Sequence, residues 1–108
     1  MLTLPLTVAA YVAAANAQDP QRLAACFTED ATVRDEQRVH QGRRQIAAWA
    51  ADTAERYRST ITPLSIDRID GAQLLRATVH GNFPGSPATL AFRFTLDAQA
   101  IASLEITP

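Results

Sequence analysis

Lysine is missing from this chain: all ten basic residues are arginine. Eleven acidic residues set against them leave a formal charge of −1. No basic surplus is available to hold a phosphate backbone or an anionic bilayer, so we expect neither nucleic acid nor membrane as a partner. Arginine-only usage is the mark expected of a high-GC bacterial source. Cysteine is reduced to Cys26, which excludes an intrachain disulfide and any cysteine-based metal cluster. It lies in Ala24-Ala25-Cys26-Phe27 with no neighbouring His or Lys and reads as a buried thiol rather than a nucleophile. Only four glycines are present, and they form no dinucleotide fingerprint, phosphate-cradling loop or Gly-x-Ser-x-Gly elbow. The two histidines have no acid or cysteine at ligand spacing, so we expect no metal and no other cofactor. No apolar run approaches membrane-spanning length. Leu2 to Ala17 is apolar, and Ala15-Asn16-Ala17 imitates a leader-cleavage site, but the first Arg is Arg22. A leader needs positive charge ahead of its apolar run. The stretch therefore reads as a folded helix of a cytoplasmic protein.

What is present suffices for one domain over residues 1–108, 47% apolar, with a real but shallow core. Leu4, Val8, Tyr11, Val12 and Ala15 recur at helical spacing and predict a helix from about Leu4 to Ala17, with Pro5 in its first turn. Tyr11 lies within the apolar face, so its hydroxyl needs a neighbour or a ligand. Asp19-Pro20 restarts a second helix. Leu23 and Phe27 give that helix an apolar stripe, and Thr28-Glu29-Asp30 ends it. Ala31 to Asp35 has the β-branched character of a short strand, and period-two alternation puts Val33 and Asp35 on one face. After a polar connection, Gly42 and Gln45 open a third helix reaching about Tyr57, with Ile46, Trp49, Ala50, Thr53 and Tyr57 on one side.

From Thr60 the pattern becomes that of strands: Ile61–Ile69, the Asp70-Gly71 hairpin turn, Gln73–Phe83, the Pro84–Pro87 turn, a strand around Leu90–Leu96, the Asp97–Ala100 turn and Ile101–Ile106. Helices followed by an antiparallel meander predict an α+β fold, with N-terminal helices packed on one face of a curved, mostly antiparallel sheet.

Tyr11-Val12-Ala13-Ala14, Asn16-Ala17-Gln18-Asp19, Phe27 through Asp35, and Gly42 with Ile46 together resemble the nuclear transport factor 2-like superfamily. Within it they resemble the SnoaL-like polyketide cyclase and ketosteroid isomerase branch. The resemblance covers about residues 8–50 by motif and the remainder by strand order. It implies a cone-shaped (cystatin-like) fold around an apolar cavity, a homodimer formed through the sheet, and a hydrophobic small molecule as ligand. In the isomerases an Asp moves a proton while a Tyr and a protonated Asp hold the oxyanion; by motif, Asp35 matches the first and Tyr11 the second. The sequence departs from that pattern twice. Leu90 stands where the second oxyanion acid is expected, and Glu36 follows Asp35 where the isomerases usually have proline.

Two readings stay open for each key residue. Asp35, desolvated by Val33, Phe27 and Trp49, would serve as a general base with a raised pKa; alternatively it is a solvated residue of a strand-to-loop turn, or one paired with Arg34 or Arg38. Tyr11 is either a donor to ligand or a core tyrosine. Val33, Trp49, Phe27, Phe83, Leu90 and Phe92 are the expected pocket walls. His40 could orient Asp35 or shuttle a proton, or be an exposed loop residue. The functional expectation is a cofactor-independent isomerase, cyclase or dehydratase; the alternative is a non-catalytic binding or dimerisation module.

Overall fold

A computed structural model describes residues 2–108. Helix α1 spans Leu6–Asn16, α2 Pro20–Ala24 and α3 Gly42–Tyr57. Strands β1 (Phe27–Asp35), β2 (Arg38–Gln41), β3 (Thr60–Ile69), β4 (Ala72–His80), β5 (Ala88–Asp97) and β6 (Ala100–Thr107) form one sheet in the order β2-β1-β6-β5-β4-β3. Every neighbouring pair is antiparallel except β1 and β6, which run parallel. The chain's first strand thus lies beside its last, and the α+β architecture of helices on a largely antiparallel sheet is the one expected.

The helices start where the local chemistry permits. Pro5 precedes α1 at the cap position rather than within the first turn, and its carbonyl accepts the first helical bond from Ala9 N at 2.9 Å. Asp19 caps α2, accepting from Arg22 N at 3.1 Å, with Pro20 at the first helical position, where its missing N–H costs nothing. At the start of α3, Gln45 Oε1 reaches back to accept from Gln41 N at 2.8 Å.

Three sequence expectations change. Phe27 does not belong to α2; it opens β1, opposite Ile101 of β6. The Cys26 carbonyl accepts from Ile101 N at 2.8 Å, so pairing with the last strand overrides the helical propensity of Ala24-Ala25-Cys26. The polar connection before α3 contains β2, with Asp35 opposite Arg38 across a two-residue turn. Glu36 and Gln37 both take positive φ there, 53° and 64°, a backbone that favours Asn-Gly and costs other residues about 1 kcal/mol or more each. Third, β4 stops at His80 instead of reaching Phe83. Asn82 N donates to the Tyr57 carbonyl at 2.7 Å and Gly81 N to Ser86 Oγ at 2.9 Å, pulling the backbone out of the ladder towards the end of α3. A Cβ at Gly81 would come 2.8 Å from the Tyr57 carbonyl oxygen, so this close approach requires glycine.

The core lies between α1 and α3 and the concave face of the sheet. Val8, Phe27, Val33, Ile46, Leu75, Phe94, Ile101 and Leu104 are its largest fully buried side chains. Asn16, the last residue of α1, ties the helix to β3: its Oδ1 accepts from Ile61 N at 2.7 Å and its Nδ2 donates to Ile61 O at 3.0 Å. Asn16→Ala would leave both Ile61 backbone groups unpaired at a part-buried position and is expected to cost about 1–3 kcal/mol by urea unfolding. A change below a few tenths would show that the clamp adds nothing.

Candidate functional site

A cavity of about 530 Å³ lies between the helices and the open side of the sheet, within the range of about 300–1,000 Å³ usual for small-molecule sites. Its floor is buried and apolar, built from Leu23, Ala50, Ile61, Val79 and Phe92, and Tyr11 lies among them. Its rim includes the exposed Glu36 and Pro84 and the half-exposed Tyr57, Asp35 and Trp49.

Tyr11 is 2% exposed. Its ring meets Phe94 edge-on at a centroid distance of 5.2 Å, Phe27 at 6.1 Å and Phe92 at 6.4 Å. Among the described residues no group hydrogen-bonds its hydroxyl, and that oxygen is not sealed off either; it opens onto the cavity. Burial pushes the phenol far above its ordinary range, and the nearby Asp35 and Cys26 charges add to the rise. Tyr11 is therefore a proton-bearing donor at any ordinary pH.

Asp35 ends β1 two residues beyond the fully buried Val33, on the same face. Trp49 Nε1, from the third turn of α3, donates to Asp35 Oδ2 at 3.1 Å. Desolvation raises the carboxyl's pKa and prevails over the Trp49 hydrogen bond, which lowers it. The Glu36 charge raises it further, while His40 and the Glu36 backbone N–H lower it. The indole can only donate, so it fixes the carboxylate's orientation without competing for its proton.

Of the residues singled out in the sequence, Asp35, Tyr11, Trp49, Phe83, Leu90 and Phe92 line the cavity. Three do not. Phe27 and Val33 are fully buried beneath it: β1 begins at Phe27, whose ring Tyr11 covers. His40 sits on β2 opposite Val33, its ring 5.9 Å from that of Trp49 and tilted by 32°, so it neighbours the indole that holds Asp35 rather than the cavity. Asp67, Arg76 and Arg93 also lie off the cavity. Leu90 reaches it from β5 and brings no acid.

Two participants escaped the sequence reading. Tyr57 lines the cavity and donates from Oη to Glu36 Oε1 at 3.1 Å, its ring edge-on to Phe83 at 5.9 Å. Its place eight residues after Trp49 was visible, but not its partner. Glu36 enters because the turn after Asp35 carries it over the rim.

The family described as a SnoaL-like domain matches residues 8–103. No curated protein matches the sequence. A protein of Sinorhizobium meliloti assigned as a polyketide cyclase is 38% identical, with a TM-score of 0.92 over 96% of this chain and 95% of its own. A protein of Catenulispora acidiphila with a ketosteroid isomerase-like fold, solved in complex with trimethylamine, is 25% identical, with a TM-score of 0.87 over 98% and 87%. A cystatin-fold protein of Novosphingobium aromaticivorans shares the fold at 20% identity, with a TM-score of 0.78 over 94% and 95%.

The raised pKa of Asp35 has a stability consequence. The native state keeps this proton to higher pH than the unfolded chain does, so the contribution is favourable below the unfolded pKa and is lost as pH rises through the native one. Asp35→Asn retains an oxygen for Trp49 and removes the desolvated charge. Calorimetry should find it melting higher than the parent at pH about 7, with the gap closing towards pH about 3, below the ordinary carboxylate pKa. A variant melting lower than the parent at neutral pH would show that Asp35 is held by its charge.

Proposed function

The chain belongs to the SnoaL-like domain family, within the nuclear transport factor 2-like superfamily, and from that premise we propose that its cavity binds an apolar, carbonyl-bearing small molecule and moves a proton within it through Asp35. One observation carries the reading: the desolvated carboxylate, oriented by Trp49 at 3.1 Å, lines the same cavity as the unpartnered Tyr11 hydroxyl. A base placed to take a proton next to a carbonyl needs a raised pKa, and the enolate that forms needs a donor already in position. Asp35 and Tyr11 answer those two needs. The Sinorhizobium neighbour's assignment supports a cyclisation or isomerisation, since both pass through such an enolate.

No cofactor enters this scheme. Asp35 abstracts the proton, Tyr11 donates to the developing oxyanion, and the protonated Asp35 returns the proton to another carbon. Binding without turnover is the second reading. Leu90 favours it, because β5 supplies an apolar side chain where the isomerases have a second oxyanion donor.

Solvent deuterium incorporation into a panel of β,γ-unsaturated ketones, followed by proton NMR, separates the two. Wild type should exchange, Asp35→Asn should lose about 10²–10⁴-fold and Tyr11→Phe about 10²–10³-fold. The rate should rise with pH through an inflection above the ordinary carboxylate range. Trp49→Phe should move that inflection higher, because it removes a hydrogen bond that favours the charged form. Ketone binding without exchange would establish the second reading.

The same proposal includes a homodimer formed through the sheet, for which β3 offers the exposed Leu64 and Ile69. Sedimentation at micromolar concentration should find about twice the chain mass of 11.7 kDa; a single species at the chain mass refutes the dimer.

A further inference from the structure

The charge of the cavity is not the charge of the chain. Its ionisable acids are Asp19, Asp35 and Glu36, and among the described residues none of the ten arginines or two histidines lines it. Asp19 is committed to capping α2. Asp35 and Glu36 are adjacent, and each accepts from one neutral aromatic donor, Trp49 Nε1 and Tyr57 Oη, both at 3.1 Å. Among the described residues neither carboxylate forms an ion pair, although the His40 charge bears on Asp35 and the Arg56 charge on Glu36; the ion pair that is found, Arg56 with Asp52 at 3.0 Å, lies off the cavity. Arg56 rests over the Tyr57 ring, 5.1 Å from its centroid, and is already engaged by Asp52.

Beside these carboxylates stand the aromatic walls Trp49, Tyr57 and Phe83. Two adjacent carboxylates that form no ion pair, at the end of a cavity with aromatic walls, form an environment that attracts an organic cation, chiefly through charge. It repels anions for the same reason. An independent sign that the cavity awaits a polar ligand comes from its floor, where Tyr11 is 2% exposed and its hydroxyl has no protein partner.

We infer that the ligand carries a protonated amine: its apolar body lies against Phe92, Val79 and Leu23, and its ammonium group sits at the Asp35–Glu36 end beside the two carboxylates. This rests on the cavity being the ligand site, and not on Asp35 moving a proton. The two are compatible, because a cation at the rim favours the ionised form of Asp35 and so readies it as a base.

The test is isothermal titration of the full chain at neutral pH and low salt with adamantylmethylamine, adamantylmethanol and adamantanecarboxylate, probes that share one apolar cage and differ in charge. Quenching of Trp49, the chain's one tryptophan, reports whether binding occurs at this site. The amine should bind about tenfold or more tighter than the alcohol, and the carboxylate more weakly than either. Glu36→Gln should reduce the amine-to-alcohol preference by about threefold or more, with alcohol affinity held as proof that the cavity is intact. Amine and alcohol binding alike, or the carboxylate binding best, overturns the cationic ligand and leaves the pocket standing. Binding of none of the three overturns both.

Discussion

Tyr11 is held by three aromatic contacts. Its ring packs against Phe27 of β1 and against Phe92 and Phe94 of β5, so one side chain of α1 fastens the helix to strands far apart in sequence. The packing leaves the ring little freedom, and the hydroxyl consequently faces the cavity in a fixed direction. An ordinary core tyrosine finds a protein partner for its hydroxyl; among the described residues this one has none, and its oxygen opens onto the cavity instead. The wedge sets the direction of the donor, and with the Asn16 clamp on Ile61 it fixes the helix on the sheet.

The rim is built at some cost to stability. Asp35 is partly desolvated and, among the described residues, forms no ion pair, and the turn after it forces Glu36 and Gln37 into left-handed backbone. Strain and desolvated charge concentrated in one place are commonly associated with a site where geometry matters more than stability. Two neutral donors stabilise the arrangement, Trp49 on Asp35 and Tyr57 on Glu36, both from α3. One helix therefore orients both carboxylates. His40 lies beside Trp49, and its charge bears on Asp35.

Where the sequence was misleading, the reason was non-local pairing. Ala24-Ala25-Cys26-Phe27 has helical character, but β6, over seventy residues later, recruits Phe27 into a strand. Strand β2 is four residues long, lies at the sheet edge, and follows a turn without glycine or asparagine, so nothing local announced it. The end of β4 was set by bonds to the terminus of α3, which no pattern along β4 could reveal.

By itself the sequence determined the order of three helices and the later meander, the alternation that puts Val33 and Asp35 on one face, the Asp19-Pro20 and Asp70-Gly71 boundaries and the inward placement of Tyr11. Each of these follows from the period or the backbone chemistry of neighbouring residues. Only the tertiary structure decided that Trp49 donates to Asp35, that Tyr57 donates to Glu36, and that Phe27 and Val33 lie beneath the cavity rather than on it. It alone decided that a chain of nearly balanced charge encloses an acidic cavity. Net charge is a sum over the sequence, whereas the field inside a cavity depends on which side chains the fold turns inward; here those are carboxylates, with every arginine left outside.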